Sequence, residues 1–134
     1  MNIITNELSG VALNYAVALA LGHQLFHDAM FGGETKKGLW LSFADMPNEW
    51  IKLSDFRPVS DANLGMQIIE DERITLSYDN MGDHYINRAY YLDTLFDDEE
   101  GWSQCGRTHL EAGLRTFVCK KLGCSVEIPD NITN

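Results

Sequence analysis

Cys105, His109 and Arg115 are the residues of this chain whose types and spacing come nearest to chemistry. A thiol just outside a helix start, with an imidazole one turn on, is an arrangement that can yield a nucleophilic thiolate, because the helix dipole favours negative charge there. Cys119, further along the same segment, could join them. The plainer account of these residues is structural, and it is the stronger one: free cysteines pack as small hydrophobes. Arg107, Glu111 and Arg115, at i, i+4 and i+8, would make an exposed ion-pair row worth roughly 0.2–0.5 kcal/mol per pair. His23 and His27, beside Asp28, would share one face of a strand and could begin a metal site, but no spaced third ligand follows them. No Gly-rich phosphate loop, GxSxG elbow, HExxH or paired CxxC occurs. The sequence therefore leans away from an enzyme and implies no metal or cofactor.

The elements that would position these residues follow from periodicity. From about Ser9 to Leu21, apolar residues recur at helical spacing and Gly22 supplies a stop. Two strand candidates, His23 to Ala29 and Gly38 to Phe43, flank Gly32-Gly33 and read as a hairpin. The segment from Ala44 to Ser60 is interrupted by Pro47 and Pro58 and reads as irregular, with Trp50 and Phe56 as lids on the core. Ser60-Asp61 opens a short helix to about Glu70. Ile74 to Tyr78 alternates like a half-buried strand, Asn80-Met81-Gly82 is a turn, and Tyr85 to Leu92 is a further strand. Leu95 to Gly106 reads as an acidic loop carrying Trp102. Thr108-His109-Leu110-Glu111 has the pattern of a capping box and fixes the start of a helix that Gly123 ends. Ser125 to Ile128 is a last short strand. The expectation is one α+β domain over residues 1–134, a small antiparallel or mixed sheet packed by an N-terminal and a C-terminal helix, with a short central helix. Both terminal helices are expected to lie on a common sheet.

Charge narrows the partners. The chain has 20 Asp and Glu against 10 Lys and Arg, a formal charge of −10. Residues 55–100 hold 12 acids and 3 bases, a net of −9, while the other 88 residues hold 8 acids and 7 bases, a net of −1. A surplus of this size repels phosphate backbones and anionic lipids, so direct nucleic-acid binding and membrane attachment are disfavoured. The apolar run Val11 to Leu21 is too short to span a bilayer, and Met1-Asn2-Ile3-Ile4 lacks the basic start of a secretory signal. Three cysteines leave one over from any intramolecular pairing and read as reduced thiols. The run Asp97-Asp98-Glu99-Glu100 lacks the alternating donors and central Gly of a calcium loop, and in its plainest reading is solvated surface.

Two passages resemble a known family. Thr5-Asn6-Glu7-Leu8-Ser9-Gly10-Val11-Ala12-Leu13-Asn14-Tyr15-Ala16-Val17-Ala18 with Gly22, and Leu110-Glu111-Ala112-Gly113-Leu114-Arg115-Thr116-Phe117-Val118-Cys119-Lys120-Lys121-Leu122-Gly123 followed by Val126-Glu127-Ile128-Pro129, resemble the opening and closing motifs of the phage NinX-like family of small proteins. Ile68-Ile69-Glu70 is similar to its central segment. The chain departs from the pattern at Asn14-Tyr15, where an Asp-Trp pair is usual, and across residues 28–58, where it is longer. The matching motifs are ones of packing and capping. The resemblance implies a phage or prophage accessory protein of the bacterial cytoplasm, and no reaction.

The functional expectation is a binding protein. Aromatics interleaved with carboxylates suit a surface that meets a host protein with a basic face, such as a host-defence or nucleic-acid-handling complex. Asp97, Asp98, Glu99 and Glu100, with Tyr90, Tyr91 and Trp102, are the residues expected to carry it, and a homodimer is compatible with the sequence. The alternative is a small-molecule enzyme or nucleotide-binding module with its site near the C-terminal helix, built on Cys105, His109 and Arg115 under Trp40, Trp50 or Trp102.

Overall fold

A computed structural model describes residues 1–31, 34–43, 49–91 and 103–132, and of residues 29–31 and 34–36 the backbone. The chain runs through β1 (Asn2–Ile4), a 3-10 turn (Thr5–Glu7), α1 (Gly10–Ala20), β2 (Gln24–Phe31), β3 (Glu34–Ser42) and β4 (Trp50–Lys52). A second 3-10 turn (Leu53–Asp55) leads to α2 (Ala62–Asp71), β5 (Ile74–Asn80), β6 (Tyr85–Tyr91), β7 (Gln104–Gly106), α3 (His109–Leu122) and β8 (Ser125–Glu127). This is the expected α+β class. Its strands fall into three small antiparallel sheets, ordered β1-β8, β2-β3-β4 and β5-β6-β7.

Helix starts lie where side-chain capping predicts them. Thr108 Oγ1 accepts the Glu111 N–H at 3.0 Å and opens α3, and Asp61 Oδ1 accepts the Leu64 N–H at 3.3 Å and opens α2. Four features of the middle and the N-terminus differ from the sequence reading. Trp50–Lys52 is a third strand beside β3, although its proline-bounded surroundings read as irregular. Phe56 is a core residue, 3% exposed, rather than a lid. Gln104–Gly106 is a strand that pairs with Asn87–Ala89, although it stands at the end of a segment read as loop. Asn2–Ile4 pairs with Ser125–Glu127, and the pairing closes with Thr5 N–H on the Cys124 carbonyl at 2.7 Å. Each of these strands has three residues, too few for a period of two to stand out.

Within the first hairpin, β2 carries a bulge between His27 and Ala29. Asp28 there takes the left-handed conformation, φ 59°, and its Oδ1 accepts the N–H of Gly38 across the ladder at 2.8 Å. The extra residue is thus stabilised by a side chain that can bond locally.

The core gathers around α3, which packs against α1, α2, β5, β6 and β7. Leu114, Phe117 and Val118 are buried, as are Ala112, Gly113 and Thr116, whereas Leu122 at the end of the helix is exposed. A helix covered on several sides shows little amphipathic pattern. Thr116 Oγ1 lies 3.0 Å from the Ala89 carbonyl and 2.9 Å from the Ala112 carbonyl, within reach of β6 and of its own helix. α1 packs on α3, and α3 in turn lies on the β5-β6-β7 sheet, where the expectation was of a common sheet under both helices. Its small residues Ala12, Ala16 and Ala18 are buried and permit that approach. Asn14 and Tyr15, the pair that departs from the family pattern, are also buried, and Asn14 Oδ1 accepts the Val59 N–H at 3.1 Å.

α2 reaches α3 through two glycines. A Cβ on Gly113 would stand 2.4 Å from Ile69 Cδ1, and one on Gly65 would stand 2.4 Å from both Leu110 Cδ1 and the Pro58 carbonyl oxygen. The Pro58 oxygen is backbone and has little freedom to retreat. Gly65→Ala should therefore destabilise the protein by about 1–3 kcal/mol in urea melts, although the same change in an open helix stabilises by up to about 1 kcal/mol. Phe117→Ala should cost about 3–5 kcal/mol. An unchanged or raised midpoint for Gly65→Ala would show that α2 and α3 do not meet there.

Candidate functional site

The residues singled out for chemistry converge at the start of α3, and the structure employs most of them as fasteners. Glu111 lies on the first turn with its side chain 4% exposed, and Arg115, one turn on, is 11% exposed. Arg115 Nη2 stands 3.2 Å from Glu111 Oε1, while its Nε donates to the Leu8 carbonyl at 2.7 Å and its Nη1 to the Cys105 carbonyl at 2.7 Å. Arg107 donates to Glu111 from its backbone N–H at 3.0 Å and from Nη2 at 3.0 Å. The expected exposed ion-pair row is thus a buried pair with one exposed arginine, Arg107, 78% exposed, at its edge. The difference lies in what Arg115 faces. Its three nitrogens each meet an oxygen, from Glu111, the N-terminal turn and β7.

Burial pushes the Glu111 carboxyl upward, but the hydrogen bonds from Arg107 and the charges of Arg115 and Arg107 outweigh it and hold the group below its ordinary value. For Arg115 burial is the larger influence and lowers its value against the attraction of Glu111.

His109 donates from Nε2 to the Ser77 carbonyl at 2.9 Å. Its ring lies 4.4 Å from the Tyr78 ring. Cys105 is half-buried, with its backbone N–H on Asn6 Oδ1 at 3.4 Å. No hydrogen bond joins its thiol to His109 among the described residues. Cys119 lies near the far end of α3, its sulfur 3.9 Å from that of Cys124, and does not approach Cys105. Trp40 and Trp50 stand in the β2-β3-β4 sheet, away from the sheet that α3 covers. His23 packs its ring 4.6 Å from that of Phe43, and among the described residues no group of three or more His, Cys, Asp or Glu converges as a metal site would.

Of the residues expected to bind a partner, Tyr90 and Tyr91 are described. Asp97, Asp98, Glu99, Glu100 and Trp102 lie outside the described residues. Tyr90 is half-buried on β6. Tyr91 is a core residue rather than a surface one, 4% exposed, with its hydroxyl donating to Glu72 Oε1 at 2.9 Å and the Lys120 ammonium 4.0 Å over its ring. A strand's period of two alternates faces, and Tyr91 opposite Ile74 faces inward.

The exposed aromatic surface lies at the other end of the same hairpin. Tyr78 and Tyr85 are 67% and 66% exposed and meet edge to face at 6.4 Å, with Met81 exposed at the turn. Gly82 N–H on Asn80 Oδ1 at 2.9 Å and Met81 N–H on the His84 carbonyl at 2.9 Å shape that turn. Behind it, Arg88 pairs with Asp79 and bonds Ser103 Oγ at 3.1 Å. The available signal was the turn at Asn80-Met81-Gly82, which brings residues two before and three after it together across the ladder.

Fold and surface together define a small α+β domain with a buried polar fastener and an exposed aromatic hairpin end. The family described as Bacteriophage P22, NinX has a model that matches residues 5–121, and the chain belongs to that family. No curated protein matches it. Among the described residues no helix is long and apolar enough to cross a membrane.

Removing the Glu111 carboxylate leaves Arg115 buried without its counter-charge, so Glu111→Ala should cost about 3–5 kcal/mol. A carboxyl held below its ordinary value contributes stability that is present above the unfolded-state pKa and is lost as pH falls through the lower folded-state value. Acid unfolding of the native chain, followed by circular dichroism, should steepen below the ordinary glutamate value of 4.5. In Glu111→Gln that part of the pH dependence should disappear.

Proposed function

We propose that this chain is a binding protein, a phage or prophage accessory factor that works in the host bacterial cytoplasm and engages a host protein with a basic surface. Host-defence and nucleic-acid-handling complexes present such surfaces. The observation that carries the reading is the hairpin end, where Tyr78, Tyr85 and Met81 leave large apolar side chains in water within the stretch 55–100 that holds 12 acids against 3 bases. Tyrosines supply contact area at small entropic cost and carboxylates steer a cationic partner and set its orientation. Two of the three bases of that stretch offer the partner little repulsion: Arg88 is already paired with Asp79, and Arg73 lies at the opposite end of β5 from Tyr78. Membership of a phage family supports the host setting, and Asp97 to Glu100 with Trp102 continue the same acidic, aromatic stretch in sequence.

The test is capture from host lysate by three proteins: the native chain, Tyr78→Ser with Tyr85→Ser, and the chain with Asp97, Asp98, Glu99 and Glu100 changed to Asn or Gln. The native chain should retain a protein of basic isoelectric point that elutes as salt is raised, because exposed charge pairs are screened. Both variants should retain much less of it while melting at the native temperature. Retention that is insensitive to salt and equal in all three proteins would sink the reading.

A further inference from the structure

Four of the basic side chains of this acidic chain are engaged by carboxylates. Arg88 pairs with Asp79, Arg107 and Arg115 with Glu111, and Lys121 with Glu72 at 3.7 Å. Lys37 and Lys52, which meet no carboxylate among the described residues, both line one cavity of about 310 Å³, and the Lys52 ammonium lies 5.7 Å from the centre of the Trp40 ring. Lys37 comes from β3, Lys52 from β4, Ser54 from the 3-10 turn that follows, and Asn131 from the C-terminal segment. Val11, Leu39, Leu53 and Ile132 give the cavity its apolar wall, and none of its nine lining residues is acidic. In a chain with 20 acids against 10 bases, such a lining runs against the composition.

Two further features bear on the sign of the field there. Val11 belongs to the first turn of α1, and Ser9 at its N-cap makes no side-chain hydrogen bond to that turn, so the positive end of the helix is not offset by a capping side chain. Outside the lining, the Asp28 carboxylate accepts the Gly38 N–H at 2.8 Å and lies 3.8 Å from His27 Nδ1.

We infer that this cavity binds a small organic phosphate. Two ammonium groups, each a compact point charge with three donors, suit a phosphoryl dianion with several terminal oxygens better than a monoanionic carboxylate. The Ser54 hydroxyl and Asn131 amide add neutral donors, and the apolar wall takes the body of the ligand. The volume stands at the small end of ligand sites, which fits a phosphomonoester and not a polynucleotide or lipid. The site is independent of the tyrosine hairpin and of the partner proposed for it.

Isothermal titration calorimetry of the full chain tests this with phenyl phosphate and adenosine 5′-monophosphate as probes, and with benzoate, phenol and adenosine as controls. At least one of the two phosphates should bind, and the affinity should fall about tenfold or more in Lys37→Gln and in Lys52→Gln, the loss expected when a charge-assisted contact is removed. Lys120→Gln, whose ammonium sits over Tyr91, should leave it unchanged. Thermal melts of Lys37→Gln and Lys52→Gln, which alter exposed side chains, should stay at the native temperature. No heat from either phosphate at millimolar concentration, or equal affinity in the lysine variants, would overturn the inference. Benzoate binding as tightly as phenyl phosphate would overturn the assignment to phosphate.

Discussion

An ionised carboxylate and a guanidinium lie buried side by side in the first turns of α3, and buried charge is tolerated only where its donors and acceptors are met. Meeting them draws three parts of the chain to one place. Arg115 holds the Leu8 carbonyl, just before α1, and the Cys105 carbonyl of β7, while Glu111 holds the backbone of Arg107 as the chain enters the helix. The entry to α1, the edge strand of the β5-β6-β7 sheet and the start of α3 are thereby fixed relative to one another. Of the residues that read as candidate catalysts in one dimension, Arg115 and the backbone of Cys105 serve this junction, while His109 bonds the Ser77 carbonyl.

The helix that carries the pair also organises the rest of the core. α1, α2 and the β5-β6-β7 sheet all rest on α3, and two of these approaches depend on small side chains: the alanines of α1, and Gly65 with Gly113 between α2 and α3. The sequence from Leu110 to Gly123 that resembles the family's closing motif therefore combines a buried ion pair, a close helix contact and an apolar stripe. Conserving volume and polarity at such positions is a requirement of packing, where a single added methyl group is felt. A motif of this kind can define a family without describing a reaction.

Placement of charge separates the surface into regions of different character. The middle third is acidic and ends its hairpin in exposed tyrosines, and Arg88 there is neutralised by Asp79. The β2-β3-β4 sheet, together with the first turn of α1, instead gathers Lys37 and Lys52 around an apolar recess. Because exposed charges interact over only about 10 Å at ordinary ionic strength, the two regions can present opposite local fields on a molecule whose net charge is −10.

Local chemistry made much of the fold legible in one dimension. A hydroxyl or carboxylate at an N-cap satisfies amides two or three residues on, and a glycine after the last turn ends a helix, so Thr108, Asp61 and Gly22 mark boundaries through interactions that never leave their own segment. The alternation in Ile74–Asn80 and the aromatic run Tyr85–Tyr91 likewise declare strands. What the sequence could not declare depended on distant partners. Asn2–Ile4, Trp50–Lys52 and Gln104–Gly106 are strands only because another strand supplies their hydrogen bonds. The same is true of the side chains on which function was staked. Tyr91 and Tyr78 share a residue type and a hairpin, yet one is covered by α2 and α3 and the other extends beyond the start of α3. Arg115 has the spacing of a surface ion pair and the surroundings of a core residue. The sequence by itself determined helix ends, strand periods and the excess of acid, since these follow from neighbours along the chain. Only the tertiary structure decided which tyrosines reach water, which arginine is buried and which lysines share a recess, because exposure is set by what packs across the fold.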